Sequence, residues 1–253
     1  MIKNSTLQHI MFPALLLLAS GNCFAYEGYA NGCPEYEMPI VIVAPVMDPI
    51  KMDYTKTAKE LIALSDPEMM NNGDLIPAGL TKFGLKLDGQ GEIIFHTVTG
   101  ENGGGTCAQI SRYEFSMRLE DPIVYVASEI PYGSCAYEEV MAHENRHLAA
   151  AYTMLDEVLP VTEGYIRDFL EHQGIVRGRT REEVNRILQD GIDEYLKGLN
   201  QSIIGVSKKL QLEIDSEEEY ARLAEACDGE VSKIINKAIR GTPSKRRVRQ
   251  DFD

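Results

Sequence analysis

Two histidines and a glutamate near the middle of the chain have the types and spacing of a metal-dependent hydrolase. They are His143, Glu144 and His147, which form the pattern HExxH. On a helix, residues four apart share a face, so both imidazoles can bind one metal ion. Glu144 lies where it can take a proton from a water at the metal. The pattern therefore predicts a site for one Zn²⁺, with His143 and His147 as ligands and Glu144 as the general base.

The residues around the motif favour a helix. Neither glycine nor proline occurs from Ala136 to Leu159, and the stretch follows a predicted strand. The alternative interpretation is a surface helix that carries two histidines and ordinary acids. Because the chain has only 5 histidines, chance would produce HExxH somewhere with a frequency on the order of one in a hundred. The motif is therefore the strongest functional signal in the sequence.

The stretch from Gly104 to Ala151 resembles a family of exported bacterial proteins. Its shared features are a Gly-Thr-Cys entry into a strand at Cys107, a second strand, Pro131 and then the HExxH helix. The family, formerly described as a domain of unknown function, is predicted to contain zinc-dependent proteases. The resemblance implies a zincin-like peptidase in which the motif histidines bind zinc and the motif glutamate is catalytic. It implies no particular substrate.

The third metal ligand does not follow from the motif, because the residues after Leu148 lack the HxxGxxH extension of other zincins. Apolar residues spaced three and four apart run through Pro160 and again from Val184 to Leu210. This periodicity predicts two long antiparallel helices, the first kinked at its proline, that turn near Arg177. Both helices rise by the same distance per residue, so counting back from the turn places the motif opposite residues 207–211.

Asp215 is the third ligand that this geometry favours, with Glu213 as the second choice. Asp215 also fits another role, because with Glu218 it forms a capping box for a last helix. A sharp break at the proline of the first long helix would instead bring Glu171 and His172 alongside the motif.

The N-terminus has the features of a secretory signal peptide over residues 1–25. Lys3 precedes an apolar run from Met11 to Ala19, and the segment ends at Ala25, a small residue of the kind found at a cleavage site. No later segment reaches the length of a transmembrane helix. We therefore expect a soluble protein without a transmembrane segment, periplasmic or secreted after cleavage before Tyr26.

Export makes the remaining cysteines candidates for disulfides. Four lie after the signal peptide, with no CxxC pair among them: Cys33, Cys107, Cys135 and Cys227. In an oxidising compartment four cysteines predict two disulfides, with unpaired buried thiols as the alternative. We favour Cys107–Cys135, joining a strand to the start of the motif helix, and Cys33–Cys227.

The predicted fold is α+β. A small, mostly antiparallel sheet packs on the HExxH helix, followed by a long helical hairpin and a C-terminal helix of about Ser216 to Arg240. Turns are predicted at Asp88-Gly89 and at Asp121-Pro122. The strand candidates are Ile40–Ala44, Lys82–Leu87, Glu92–Val98, Gln109–Arg118 and Ile123–Ile130. Residues 26–240 are expected to form a single domain, and 241–253 a basic, disordered tail.

The charge composition of the chain disfavours one class of binding partner. The 253 residues include 25 Lys plus Arg against 39 Asp plus Glu, a net charge of −14. Nucleic acid is an unfavourable partner for such a chain, because its phosphates require clustered positive charge. A peptide or protein substrate fits the motif. The alternative is a non-catalytic periplasmic binding or assembly protein, with a structural or absent zinc and the helical hairpin as its partner surface.

Overall fold

The computed structural model describes residues 32–65, 76–99 and 104–240. Within these ranges the chain forms five strands and four helices, which confirms the mixed fold class. The signal peptide and the basic tail predicted at the two ends lie outside the described residues. In chain order the elements are β1 (Ile40–Met47), β2 (Lys51–Asp53), α1 (Ala58–Leu64), β3 (Gly79–Val98), β4 (Gly105–Val126), α2 (Cys135–Gln173), β5 (Val176–Gly178), α3 (Arg181–Ile214) and α4 (Glu217–Arg240).

The sheet is built around β4, which pairs with each of the other four strands. β1 runs parallel to β4 over residues 112–119, and β2 runs parallel to it over 123–125. β5 pairs antiparallel with β4 at 106–108. The prediction of a mostly antiparallel sheet is therefore not matched. It assumed hairpins between neighbours, whereas β1 and β2 reach β4 only after the chain has passed through α1 and β3, a crossover that permits parallel pairing.

Two turn predictions are wrong because β3 and β4 are long continuous strands. At Gly89, an added Cβ would overlap the hydroxyl of Tyr113, so the glycine makes room for an aromatic side chain. The Asp88-Gly89 pair therefore serves packing and not chain reversal. Asp121 does have a positive φ of 45°, but the strand continues through it and through Pro122.

The chain divides into two compact units. The first, called the hairpin unit, takes the described residues of 1–48, 84–120 and 151–209. The second, called the motif unit, takes those of 49–83, 121–150 and 210–253. The prediction of a single domain stays a prediction.

The motif unit has its own apolar core. Helix α1 begins after Thr57, whose side chain accepts a hydrogen bond from the Glu60 amide while the Glu60 carboxylate accepts one from the Thr57 amide. This capping box satisfies amides that the first turn of a helix leaves without partners. The core joins α1, the end of β4, the start of α2 and α4, through Ala58, Leu61, Val126, Ile130, Ala136, Val140, Leu223, Val231 and Ile235.

The hairpin unit contains the paired stretches of α2 and α3. The ring of Phe169 stacks on that of Tyr195 at 4.1 Å, and the amide of Gln173 donates to the Leu188 carbonyl at 3.4 Å. Higher numbers on α2 meet lower numbers on α3, so the helices are antiparallel as predicted. Pro160 lies inside α2 without ending it, which confirms one continuous helix and rules out the sharp break.

The two disulfides are Cys33–Cys107 and Cys135–Cys227. Two bonds were predicted, but the favoured pairing was wrong. It assumed that residues 109–118 and 123–130 form separate strands that fold back and return Cys107 toward Cys135. Because residues 109–118 and 123–126 both belong to the single strand β4, the chain makes no such return.

None of the helices in the described part of the chain combines the length and the apolar character that a bilayer crossing requires.

Candidate metal centre

Three side chains of the motif unit bring ligand atoms to one point. His143 and His147 project from α2, and Asp215 lies between α3 and α4. The two Nε2 atoms are 3.2 Å apart, and each is 3.2 Å from Asp215 Oδ1. A tetrahedral zinc with bonds of about 2.0 Å requires ligand atoms about 3.3 Å apart. The three atoms thus match one face of such a tetrahedron, and the group can hold a metal ion.

Asp215 does not have the helix-capping role that the sequence suggested for it. Helix α4 begins at Glu217, and the hydroxyl of Ser216 accepts a hydrogen bond from the Glu219 amide at 3.2 Å. Ser216 is therefore the N-cap, which corrects the capping box predicted for Asp215 and Glu218. Since the cap is one residue further on, the Asp215 side chain faces the histidines.

The charges of the group favour a cation. Burial alone would raise the pKa of Asp215, but hydrogen bonds from His143 and His147 outweigh it and lower that pKa. Burial alone would lower the pKa of His147, yet the hydrogen bond and charge of Asp215 raise it overall. Asp215 therefore stays anionic, and a metal cation at the same point would replace the proton that this carboxylate draws to the imidazoles.

Gln211, on the last turn of α3, holds His147 at two points. Its side-chain oxygen lies 2.6 Å from His147 Nδ1, and its side-chain nitrogen donates to the His147 carbonyl at 3.4 Å. An amide oxygen only accepts, so Nδ1 carries a proton, and Nε2 is the ring nitrogen left to face Asp215 or a metal ion at the same point. This tautomer is the one that binds a metal through Nε2.

We expect Gln211→Ala to lower the affinity for zinc by about 10- to 100-fold, the range found when partners of metal-binding histidines are removed. Gln211→Glu keeps an acceptor for Nδ1 and should retain most of the affinity. Titration against a chromophoric chelator measures both variants. Equal affinity of Gln211→Ala and the wild type would show that Gln211 does not orient the histidine.

Glu144 is enclosed by the start of β3. The hydroxyl of Thr81 donates to its Oε2 at 2.8 Å, and Glu144 is 2% exposed. Burial raises the pKa of Glu144, although both motif histidines and the Thr81 hydrogen bond oppose this rise. A raised pKa makes this carboxylate a stronger base toward the proton of a water molecule.

Gly79 leaves the space that Glu144 occupies. A Cβ at this position would lie 2.5 Å from Glu144 Oε1 and 2.7 Å from Val140 Cγ1. We expect Gly79→Ala to destabilise the protein by about 1–3 kcal/mol, the usual cost of overpacking a core. Gly205→Ala is the matched control, because nothing lies within 4 Å of its added Cβ inside α3. It should stabilise by about 0.5–1 kcal/mol. Denaturant midpoints compare the two, and equal shifts would contradict the contact at Gly79.

A network of charges lies against His143. Glu219 Oε1 is 3.4 Å from His143 Nδ1, and the same carboxylate pairs with Arg146 and Arg222. Burial alone would raise the pKa of Glu219, but hydrogen bonds from the two arginines lower it to about 2. Arg222 also pairs with Glu139 at 2.7 Å. The Glu219 carboxylate therefore stays charged, and it can accept a hydrogen bond from His143 Nδ1 when Nε2 binds a metal. Arg146 Nη2 lies nearer to the same nitrogen, at 3.1 Å, so it competes with Glu219 for this edge of the ring.

The other candidate ligands lie apart from this group. Glu213 is exposed on α3, as are Glu171 and His172 at the end of α2. His172 Nδ1 lies 2.6 Å from the Asp168 carbonyl. Among the described residues, the three-donor group contains none of these side chains.

Sequence reasoning missed the residues that surround the motif. The predicted register placed His147 opposite Ser207, whereas Gln211, one helical turn further along α3, contacts it. The count assumed a symmetric turn at Arg177, but that residue lies in β5, which pairs with β4. Thr81 and Gly79 had no sequence signal, because their role depends on where β3 meets α2.

Comparisons with protein-family models, with curated proteins and with solved structures find no match for this chain. The family resemblance therefore stays a prediction, and the geometry of the site is the basis for proposing a function.

Proposed function

We propose that the protein is an exported zinc metallopeptidase. The observation that carries the proposal is the set of three donor atoms that lie 3.2 Å from one another. Glu144 directly follows His143, which supplies one of these atoms. His143, His147 and Asp215 would hold the metal. Zinc in such a site supplies a Lewis acid that polarises a carbonyl and activates water. Glu144 would take the proton of the attacking water and pass it to the leaving amine.

The donor set favours zinc over other common metal ions. Two imidazole nitrogens and one carboxylate oxygen suit zinc, whereas Mg²⁺ and Ca²⁺ prefer oxygen ligands throughout. Structural zinc sites have four protein ligands, and catalytic ones have three. Among the residues that the structure describes, the group has three members. That number supports a site with a position for water or substrate.

Export is part of the proposal. Both disulfides are compatible with an oxidising, extracytoplasmic compartment, where such bonds persist. Together with the signal-peptide features of residues 1–25, they support a periplasmic or secreted enzyme acting on peptides or proteins.

Metal analysis tests the site directly. We expect about one zinc per chain in the purified protein, and reversible loss of peptide hydrolysis when a chelator removes it. His143→Ala should bind far less zinc, because it lacks one of two imidazole ligands. His172→Ala is the control, since this exposed histidine lies outside the donor group. Zinc content that is unchanged in His143→Ala would contradict the proposal.

A binding or assembly function is the second candidate. It is favoured by the enclosure of Glu144, whose oxygens face Thr81 and Gly79 at the start of β3. In that case zinc would stabilise the fold and Glu144 would have no substrate to act on. Full zinc loading without cleavage of any member of a broad peptide library would favour this function.

A further inference from the structure

We propose that the Cys135–Cys227 disulfide positions the metal site and thereby sets its affinity for zinc. The inference deepens the proposed function and depends on its metal site. Cys135 is the first residue of α2, two helical turns before His143, and Cys227 lies twelve residues after Asp215. The bond therefore joins the two segments of the motif unit that supply the donor atoms.

Cys227 lies at a break in α4 where the backbone is strained. Cys227, Asp228 and Gly229 have φ values of 54°, 55° and 74°, and Ala226 is extended. The left-handed region is unfavourable for an L-residue, so a non-glycine residue stays there only when its surroundings hold it. The bond to Cys135 is a covalent constraint at this point. Without it, the break keeps the hydrogen bond from the Ser232 hydroxyl to the Ala224 carbonyl at 2.6 Å. This bond is a weaker constraint than the disulfide, so residues 217–225 can turn more readily relative to 230–240.

The first half of α4 also contacts α2 through ion pairs and through the ring of Tyr220, whose centroid lies 6.0 Å from that of His143. Arg222 pairs with Glu139, and Glu219 pairs with Arg146, but both arginine side chains are 45% exposed. Ion pairs with such exposure are screened by solvent and contribute little to stability. Leu223 is buried and keeps α4 docked. We therefore expect loss of the disulfide to loosen the site and not to abolish it.

Loosening α4 would act on two of the ligands. Glu219, which faces His143 Nδ1, would move with residues 217–225, and Asp215 lies directly before the Ser216 cap of this helix. Removing a hydrogen-bonding partner of a metal ligand lowers the affinity for the metal by about 10- to 100-fold. An effect of about tenfold is expected here, since Gln211 and α3 still hold His147.

The coupling makes the site sensitive to thiol reductants. A dithiol supplies two electrons and two protons, becomes a disulfide itself, and leaves thiols at Cys135 and Cys227. Linkage is reciprocal, so zinc must stabilise the disulfide by the factor by which the disulfide tightens zinc binding. A tenfold effect corresponds to a reduction potential about 30 mV lower with zinc bound.

The test compares the two disulfides of the chain. Zinc affinity is measured by chelator competition for wild type, C135S/C227S and C33S/C107S, each checked for folding by circular dichroism. Serine replaces both thiols, so no new sulfur ligand arises. We expect affinity about tenfold weaker in C135S/C227S and within twofold of wild type in C33S/C107S. Unchanged affinity in C135S/C227S, or an equal loss in both variants, would overturn the inference.

A second measurement applies if C135S/C227S does not fold. Wild-type protein is equilibrated in thiol–disulfide buffers with and without zinc, and alkylated peptides report the state of Cys135 and Cys227. A midpoint potential unchanged by zinc would overturn the coupling. Neither readout depends on hydrolysis, so a catalytically inactive protein leaves the inference standing. A wild type that binds no zinc would instead refute the proposed function.

Discussion

Replacing Glu144 with glutamine is expected to leave zinc bound and to lower peptide hydrolysis by about 10²–10⁴-fold, the usual contribution of a general base. The amide has nearly the same shape, and its oxygen can still accept the Thr81 hydrogen bond. What it loses is the capacity to take a proton from the attacking water. Metal content and initial rates on a denatured protein substrate measure the two effects separately.

The control for this variant is Glu138→Gln, the same substitution at an exposed position in the first turn of the same helix. It should keep both zinc and activity. Loss of zinc in Glu144→Gln would mean that Glu144 is a ligand, which would require a different mechanism. Full activity in Glu144→Gln would refute the peptidase assignment.

Removing the carboxylate of Asp215 is expected to weaken zinc binding by at least about 100-fold. The loss should exceed the 10- to 100-fold cost of removing an outer partner, because Asp215 is placed as a ligand itself. Only two imidazoles would remain, without the negative charge that now lies 3.2 Å from both. Asp215→Ala tests this by chelator competition.

Glu213→Ala provides the matched control, because Glu213 is an acid two residues away on the same segment and is exposed. It should bind zinc as the wild type does. A large loss in Glu213→Ala, together with a small one in Asp215→Ala, would reverse the ligand assignment that the geometry supports.

Local pattern was sufficient for the features that one helix or strand determines by itself. The HExxH spacing brings His143 and His147 to one face because any helix does so. The apolar periodicity from Val184 to Leu210 predicted a helix whose stripe is buried, as Leu188, Leu199 and Ile203 show. Even the residues opposite the motif were predicted to within one turn, because rise per residue is constant.

Features that depend on which elements meet were not available from the sequence. Asp215 had two possible roles, and the choice depended on whether Ser216 or Asp215 caps α4. Gly89 has the signature of a turn, but the aromatic ring of Tyr113 lies across it. A local pattern shows which roles a residue can have. Contacts with a neighbouring element determine which of these roles it takes.

The cysteines show the same division most clearly. The sequence by itself predicted two disulfides among four cysteines, because a chain that is expected to be exported would meet an oxidising compartment. The tertiary structure decided that Cys135 joins Cys227 and that Cys33 joins Cys107. The bonds close separations of 92 and 74 residues, so their pairing depends on how β4 and α4 are placed. In the same way, the motif alone predicted two side chains of the candidate metal site, and long-range packing brought Asp215 to them.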